Sequence, residues 1–438
     1  MAVAGSPRLT NEALYCLRKF ATEVIGTENH AVADAFSLKP FFGALGGPLA
    51  THHDIRHAKT IVLIGGEPEE LQPLTGKQIR QAVRNGGARF ILVNSVPIRL
   101  REQAAQFIHL RPGTEDAAAL ALTDGANDEL AARKMGVEAA ELDALRRAIM
   151  ETQGDVVVMF GGELSASAQA VMAQLPYVFA GEGRRVLLHP LPLFNNSVGA
   201  HDVGMDGKSA TELLAAIGAS IRAMYVAGSL LPNTHADALS ELDCLIVQEL
   251  FETETTAFAD IVLPAASFAE VDGTFTNNDG FVQRVRKSVE PVHQSKPDWM
   301  ILSQLAKELG VDFGFGTSAG AVFREIAERI PAYAELRYPL LKDESRPVQV
   351  KHAIAPKRVL SGEIETIRRA VEAMSDDGEK ISATPAVGHE LFKLGTLTDR
   401  VPQFHLLAAG NPKPETFAIS PLYQITIDEG LKREPAVA

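Results

Sequence analysis

The chain has 438 residues, 46% of them hydrophobic, with a formal net charge of −13 and a pI near 5.5. This length predicts two or three domains rather than a single core. The acidic balance argues against nucleic acid or an anionic membrane surface as a partner, because both require a basic patch on the protein.

Targeting signals and cysteines point to the cytoplasm. The opening MAVAGSPRLTNE has neither a basic start nor an apolar run, so it does not resemble a signal peptide. No apolar stretch approaches the roughly 18 residues of a membrane span, and we expect no direct membrane insertion. Cys16 and Cys244 lie in apolar surroundings, which favours buried free thiols. Two cysteines cannot supply the four thiolates of an iron–sulfur cluster.

One phrase recurs along the chain, an apolar run followed by glycine and a polar turn. It appears in KTIVLIGGEPEE from Lys59, DVVVMFGGELSA from Asp155 and RAMYVAGSLLPN from Arg222. Such runs are typical of strands that are buried on both faces. Further short strands are predicted at FILVNS, RVLLHP and CLIVQE.

Helical patterns lie between the strands. Ile79 and Val83 share one face of a predicted helix that Asn85-Gly86 is expected to end. Strands that alternate with helices predict an α/β fold with doubly wound parallel sheets. After Gly310 the pattern weakens into an irregular C-terminal segment, in which KLGTLTDRVPQFHLL is the best strand candidate.

Several nucleotide-binding and catalytic patterns are incomplete. Gly181-Glu-Gly183 lacks the third glycine of a dinucleotide fingerprint and precedes a strand, which favours a turn. Gly207-Lys208-Ser209 is not a P-loop, because Asp202 stands where the first glycine is needed. The histidines at positions 52, 53 and 57 favour an ordinary loop over a metal site. No G-x-S-x-G elbow supports a serine nucleophile.

Polar and glycine-rich turns at strand ends are the remaining candidates for a site. In open parallel sheets, ligands bind beyond the carboxyl ends of the strands. Glycine lets the backbone approach a ligand, and asparagine both donates and accepts hydrogen bonds. The candidates are therefore Gly65, Gly66, Asn94, Asn195, Asn196, Thr274, Asn277 and Asn278. The alternative, which spacing alone favours, is that these residues form plain turns of a sheet.

Taken together, the segments between about Ser6 and Gly310 resemble the molybdopterin oxidoreductase superfamily. The matching segments, in chain order, are IVLIGGEPEELQP, HLRPGTEDAAALAL, FNNSVGAHDVGM, TTAFADIVLPAASFAEVDGTFTNNDGFVQ and PVHQSKPDWMILSQLAKELG. The resemblance implies two discontinuous α/β domains that clasp a bis-pterin guanine dinucleotide, and it adds Gly113 to the candidates. It places residues 1–58 with 205–315 in the first domain and residues 59–204 in the second. Residues 316–438 are then a C-terminal segment, a candidate for a truncated last domain.

The chain departs from the family where active members hold the cofactor. In TENHAVADAFSLKPFFGALGG, where those members supply a Cys, selenocysteine, Ser or Asp ligand to molybdenum, there is no Cys, but there is Asp34. Glu67 stands where Asn is frequent, Asn94-Ser95-Val96 where Asp-Pro-Arg is frequent, and Glu115 where Asp is frequent. A Glu that faces a phosphate-rich cofactor would repel it. These departures favour a vestigial pocket without its cofactor.

The opening GSPRLTNEALYCLRKFATEVIGTENHA resembles one branch, the large iron–sulfur (G) subunit of bacterial NADH-quinone oxidoreductase, respiratory complex I. This resemblance predicts a scaffold in the peripheral arm, with no catalytic residue and no metal ligand. It implies other subunits of the respiratory complex as partners, and iron–sulfur clusters on an adjoining domain or subunit beside Gly5 to Asn11. It also implies attachment to the inner face of the cell membrane through the complex.

Two alternatives remain open. One is a true molybdenum or tungsten bis-pterin oxidoreductase subunit, similar to formate dehydrogenase, with molybdopterin guanine dinucleotide as its cofactor and its iron–sulfur domain on another chain. The other is a pterin-binding or assembly protein without redox turnover.

Overall fold

The computed structural model describes residues 1–32, 37–123, 128–228, 236–253, 255–342, 346–376 and 378–382. The strands in these ranges are β1 (Ala2–Gly5), β2 (His30–Val32), β3 (Thr60–Ile64), β4 (Arg89–Asn94), β5 (Gln106–His109), β6 (Gly154–Phe160), β7 (Arg184–Pro190), β8 (Lys208–Ser209), β9 (Ala223–Ala227), β10 (Cys244–Glu249), β11 (Ile261–Pro264), β12 (Gly273–Thr276), β13 (Phe281–Val285) and β14 (Val348–Gln349).

The α-helices in the same ranges are α1 (Asn11–Lys19), α2 (Lys39–Gly43), α3 (His52–His57), α4 (Pro68–Leu71), α5 (Pro73–Gly86), α6 (Glu115–Thr123), α7 (Asp128–Met135), α8 (Ala139–Glu151), α9 (Ala166–Ala173), α10 (Leu175–Val178), α11 (Ser197–Asp202), α12 (Ala210–Ala215), α13 (Ala236–Ser240), α14 (Asp298–Glu308), α15 (Ala319–Arg329) and α16 (Ser361–Ala373). One π-helical turn, Phe20–Ile25, continues α1.

Two parallel sheets organise the described part of the chain. The first has the strand order β11-β10-β9-β1-β2-β8, and the second has the order β5-β4-β3-β6-β7. All pairings in both sheets are parallel. Strands β12, β13 and β14 form a small antiparallel sheet beside them. The predicted α/β fold with parallel sheets is therefore confirmed.

The first sheet is assembled from two separate parts of the sequence. Strands β1 and β2 precede the second sheet along the chain, whereas β8 to β11 follow it. The limits 1–58 with 205–315, 59–204 and 316–438 remain a proposal for the domain boundaries.

Apolar side chains fill both faces of the second sheet. Strand β3 is buried at all five positions, as expected for a parallel strand covered by helices on both sides. Val62 and Ile64 pack in the core that also contains residues of α6, α8 and α9, whereas Ile61 and Leu63 pack with residues of α3 and α5. This alternation follows from the two-residue period of a strand.

Three local details can be compared with the sequence predictions. Helix α5 reaches Gly86, and Gly87, with φ of 65°, takes the C-cap role one residue later than expected. The histidines at 52, 53 and 57 lie on helix α3, so their placement in a loop was wrong; Thr51 and Asp54 form a capping box that starts this helix. The turn at Gly181–Gly183 leads into β7 as predicted.

Residues 346–376, here called the C-terminal strap, connect the small sheet to the second parallel sheet. Strand β14 pairs with β13. The backbone N–H of Ala355 then donates to the carbonyl of Leu45 at 2.7 Å, and the hydroxyl of Tyr177 donates to the carbonyl of Ala355 at 2.9 Å. Helix α16 buries Ile367 and Val371 in the same core as α6 and α9.

The strand candidate KLGTLTDRVPQFHLL lies outside the described residues. In the described part of the chain, no helix combines the length and the hydropathy that crossing a bilayer requires.

Candidate functional site

The second sheet changes its direction of winding between β3 and β6. From β3 the chain adds β4 and β5 on one side, then returns to add β6 and β7 on the other. In parallel sheets the crevice at such a switch point, beyond the carboxyl ends of the strands, is where ligands bind. Gly65 and Gly66 follow β3 there with φ of 63° and 71°, a region that favours glycine. A Cβ on Gly161, which follows β6, would lie 2.4 Å from the nitrogen of Gly66, so only glycine fits.

The carboxylate of Glu163 lies on this glycine turn. The backbone N–H of Gly66 donates to both of its oxygens, at 3.0 and 3.1 Å. Glu163 is exposed at the surface, although neighbouring protein atoms remove part of the hydration of its carboxylate. Loss of hydration raises the pKa of Glu163, against the hydrogen bond from Gly66, and the charge of Glu115 adds to the increase.

Asn94 stabilises the same turn from the end of β4. Its side-chain amide donates to the carbonyl of Gly66 at 2.9 Å, and its oxygen accepts from the N–H of Val96 at 2.8 Å. The next residue, Ser95, donates to the buried carboxylate of Glu115 at 2.6 Å. The structure therefore brings Gly65, Gly66 and Asn94 together, whereas Gly113 is exposed in the turn before α6.

Asn196 joins the carboxyl ends of the two parallel sheets. It follows β7, is fully buried, and its backbone N–H donates to the carbonyl of Pro7, which follows β1, at 3.2 Å. Its side-chain amide donates to the carbonyl of Leu9 at 2.7 Å, and its side-chain oxygen accepts from the N–H of Thr276 at 2.7 Å. The neighbouring candidate Asn195 is exposed.

Thr274 belongs to a buried polar network with α1. The Asn11 amide donates to the hydroxyls of Thr274 and Thr276, at 3.1 and 3.0 Å. The Glu12 carboxylate accepts from the N–H and the hydroxyl of Thr274, at 2.8 and 3.0 Å, and from the hydroxyl of Tyr338 at 2.8 Å. Burial raises the pKa of Glu12 to about 7, although these hydrogen bonds oppose the shift.

The two remaining candidates lie in the turn between β12 and β13. The side-chain oxygen of Asn277 accepts from the N–H groups of Asp279 and Phe281, at 3.1 and 2.9 Å, so this side chain shapes its own turn. Asn278 is half-buried beside it. Residues Gly5 to Asn11 are buried within the chain apart from the half-buried Arg8 and Leu9, and their position beside a cluster-bearing domain stays a prediction.

A small pocket opens at the carboxyl ends of β2 and β8. Its lining residues are Val32, Ser37, Leu38, Ser197, His201, Asp206, Lys208 and Ser209. His201 donates through Nδ1 to Asp206 at 2.7 Å and stacks on the ring of Phe42, with centroids 4.6 Å apart. Loss of hydration pulls the pKa of His201 down, but the hydrogen bond and charge of Asp206 outweigh it, so the pKa is raised.

The same Phe42 ring meets a second imidazole. The ring of His352, in the C-terminal strap, lies against it with the two centroids 4.5 Å apart. The Nε2 atom of His352 is hydrogen-bonded to Oδ1 of Asp202 at 2.9 Å. The C-terminal strap therefore packs against Phe42, the ring on which His201 stacks beside the pocket.

Sequence reasoning missed Glu163, Glu12 and the His201–Asp206 pair. Glu163 directly follows the second Gly-Gly phrase, so its position after a strand was a usable signal. Glu12 bonds Thr274 and Tyr338, which are far away in the sequence, and Asp206 lies beyond the end of the helix that carries His201. Nothing in the local pattern reveals these partners. Asp34, a candidate metal ligand, lies outside the described residues, among which no three His, Cys, Asp or Glu side chains group in a way that could hold a metal ion.

The cysteines do not reach these strand ends. Cys16 is buried in α1, where burial raises the pKa of its thiol. Cys244 is only half-buried, contrary to expectation, and it is the first residue of β10, at the edge opposite the carboxyl ends.

Comparison with known proteins identifies relatives for most of the chain. The family model described as molybdopterin oxidoreductase matches residues 1–308. The alpha subunit of F420-dependent formate dehydrogenase 1 of Methanococcus maripaludis is 30% identical over 417 residues, which cover 77% of this chain and 61% of the relative. A putative formate dehydrogenase of Bacillus subtilis is 25% identical over 419 residues, which cover 77% of this chain and 42% of the relative.

Solved structures share the fold. Acetylene hydratase from Pelobacter acetylenicus superposes with a TM-score of 0.60 at 14% identity, over 80% of this chain and 60% of that one. A chain of the formyltransferase/hydrolase complex from Methylorubrum extorquens gives a TM-score of 0.50 at 16% identity, over 70% of this chain and 91% of that one. At these identities the likeness concerns the fold. The chain spans only 42% to 61% of the length of the two curated relatives above.

These relatives correct the function expected from the sequence. The prediction of a cofactor-free scaffold of NADH-quinone oxidoreductase was wrong, because the relatives are formate dehydrogenases. Nothing in the comparisons supports complex I subunits as partners or a chain without a cofactor. The opening segment, the missing Cys and the substitutions at Glu67, Asn94 and Glu115, from which that function was predicted, do not outweigh the similarity to formate dehydrogenases.

We expect Asn196→Ala to lower the free energy of unfolding by about 2–4 kcal/mol, because it leaves the carbonyl of Leu9 and the N–H of Thr276 buried without this partner. Urea unfolding measures the loss. Asn195→Ala, a change of the same size at the exposed neighbour, is the control and should stay within about 0.5 kcal/mol of the parent. Equal effects of the two substitutions would contradict the joint assigned to Asn196.

We expect Glu12 to make stability fall as pH rises. Its folded pKa of about 7 lies above the ordinary 4.5, so the native state binds more protons in that window than the unfolded chain does. The stabilisation is complete below about pH 4.5 and is lost as pH rises through 7, by roughly 3 kcal/mol for this shift. Glu12→Gln should flatten the dependence between pH 5 and 8, whereas the exposed Glu308→Gln should leave it unchanged. Parallel curves for Glu12→Gln and the parent protein would show that the carboxylate is not the source.

Proposed function

The chain belongs to the molybdopterin oxidoreductase family, and on that premise we propose that it is part of a catalytic subunit of a molybdenum- or tungsten-dependent bis-pterin oxidoreductase of the formate dehydrogenase type. Its iron–sulfur clusters would lie on another domain or chain, because two cysteines cannot hold one. The observation that carries the proposal is the similarity to formate dehydrogenases over more than three quarters of the chain.

The glycine turn at the switch point fits the cofactor implied by the family. Gly66 already donates its N–H to an anionic oxygen, that of Glu163, which stands in for a phosphoryl oxygen. A Cβ on Gly65, Gly66 or Gly161 would press against neighbouring atoms, so these positions carry no side chain. Without side chains in the way, a ligand can approach the backbone closely. Gly65 and Gly66, with Asn94 behind them, would hold the diphosphate of a pterin dinucleotide. Bound there, the pterin would present a metal that takes up two electrons from the substrate.

The pocket beside β2 and β8 suits a small carboxylate. Its polar lining residues include Ser37, Ser197, His201 and Lys208, and the one carboxylate among them, that of Asp206, is paired with His201. Because the Nδ1 proton of His201 is donated to Asp206, Nε2 can donate to a ligand only in the imidazolium form, which the raised pKa of His201 favours. In this chain His201 would orient a small anion such as formate and hold the proton at Nε2.

Partner subunits follow from the same relationship. The methanogen relatives are named as alpha subunits, so they work beside other subunits. We expect a cluster-bearing domain or subunit to pass electrons to or from this chain.

The test is the metal and pterin content of the native complex, purified under strictly anaerobic conditions through a tag on this chain. We expect close to one molybdenum or tungsten per chain by mass spectrometry, a fluorescent oxidised pterin, and formate-dependent reduction of a viologen dye. A complex with its full set of subunits but no molybdenum, tungsten or pterin would overturn the proposal.

In the same complex, His201→Gln should lower kcat/KM for formate about 10- to 100-fold, the value of one hydrogen bond to a charged group. Metal content and melting temperature should stay close to those of the parent. His57→Gln, a matched change on the exposed helix α3, is the control and should not alter the kinetics. An unchanged kcat/KM in His201→Gln would remove this pocket from the proposed site.

A further inference from the structure

Glu163 lies against three glycines at the switch point of the second sheet. A Cβ on Gly65 would be 2.5 Å from its Oε2 atom, and a Cβ on Gly161 would be 2.1 Å from the same atom. The carboxylate therefore fills the space that these glycines leave open. It also uses the N–H of Gly66, the donor that the turn directs into the crevice.

Backbone N–H groups in glycine turns of this kind bind oxyanions, because a positive-φ turn aims the amide dipole at the ligand and no Cβ blocks the approach. A phosphoryl oxygen of a bound ligand and the Glu163 carboxylate would need the same N–H and the same space. Both are negatively charged, so they cannot share the turn without strong repulsion.

We infer that Glu163 is a built-in competitor for an oxyanion site on the Gly65–Gly66 turn, and that a ligand carrying a diphosphate must displace its carboxylate to bind. The ligand class is a phosphate ester or diphosphate. The inference rests on the proposed function in one respect, since a pterin dinucleotide carries such a diphosphate.

The competition between the Glu163 carboxylate and a phosphoryl oxygen should depend on pH, because both are surrounded by acidic groups. Glu67 follows the turn, and Glu115 and Asp116 begin helix α6 beyond the end of β5; all three are acidic, as is Glu163. Asn94 and Ser95, at the end of β4, are neutral. Protonation of Glu163, which its raised pKa favours, removes one negative charge and weakens its hold on Gly66. Diphosphate should therefore bind more tightly as the pH falls.

The side chain has room to leave. Glu163 is exposed to solvent, and within the described part of the chain its carboxylate accepts from the Gly66 N–H and its own backbone and pairs with no basic side chain. Displacement thus costs these hydrogen bonds and no buried ion pair.

The experiment measures binding of inorganic pyrophosphate and of GDP to the purified full-length chain by isothermal titration calorimetry at pH 7.5 and 5.5. Glu163→Gln should bind both at least about 10-fold more tightly than the parent at pH 7.5, because the charge repulsion is gone. Glu163→Ala should bind both ligands at least as tightly as Glu163→Gln does, since it also frees the Gly66 N–H. The parent should gain affinity at pH 5.5, and that gain should shrink in both variants.

Glu182→Gln is the matched control, because Glu182 is an exposed glutamate in a different glycine-containing turn, Gly181-Glu182-Gly183, and its substitution changes the net charge by the same amount. It should leave the affinity unchanged. An equal gain in Glu182→Gln would assign the effect to net charge and overturn the inference. Equal affinities for the parent and both Glu163 variants would overturn it as well, and so would the absence of detectable binding to all of them.

These outcomes separate the inference from the proposed function. Tighter pyrophosphate binding in the Glu163 variants, with no metal or pterin in the native complex, would keep the inference and refute the function. Metal and pterin in the native complex, with no effect of the Glu163 substitutions, would keep the proposed function and refute the inference.

Discussion

Three hydrogen bonds of the buried Asn196 decide how the carboxyl ends of the two parallel sheets meet. They link the loop after β7 to the loop after β1 and to the small antiparallel sheet. Breaking these bonds would leave buried polar groups without partners, which is costly in free energy. The loops therefore have little freedom to separate. The loops after β1 and β7 are therefore held against each other and against β12 at the carboxyl ends of the sheets.

Around that joint the chain satisfies its polar groups largely from within. Glu12, Asn11 and Thr274 bond one another across α1 and β12, and Tyr338 closes the network from beyond α15. Such networks specify one arrangement of the elements, because each member is expensive to leave unpaired in a low-dielectric interior. Among the described residues, the two candidate places for a ligand are the switch point and the pocket of His201.

Those two places have opposite electrostatic character. The switch point is acidic, with Glu163 on the glycine turn and Glu115 close enough to raise its pKa. The pocket has an imidazole whose pKa is raised by Asp206, and Lys208 is among the residues that line it. A large anionic cofactor and a small anionic substrate would thus meet different conditions: the first must displace a charge, whereas the second finds a partner for its charge.

The sequence by itself determined the class of fold and predicted that the candidate site residues follow the ends of strands. Apolar runs followed by glycine identify parallel strands, because buried strands need continuous hydrophobicity and their turns need positive φ. The segment order also identified the family. What the sequence did not determine was the use of each polar residue: Asn94, Asn196, Thr274 and Asn277 read as ligand contacts, but the fold brings each of them to a partner within the chain. Only the tertiary structure decided this, because those partners come from distant segments or depend on a turn's exact course. The position of Glu163 after a Gly-Gly phrase was readable from the sequence, but its contact with the Gly66 turn exists only once β3 and β6 lie side by side.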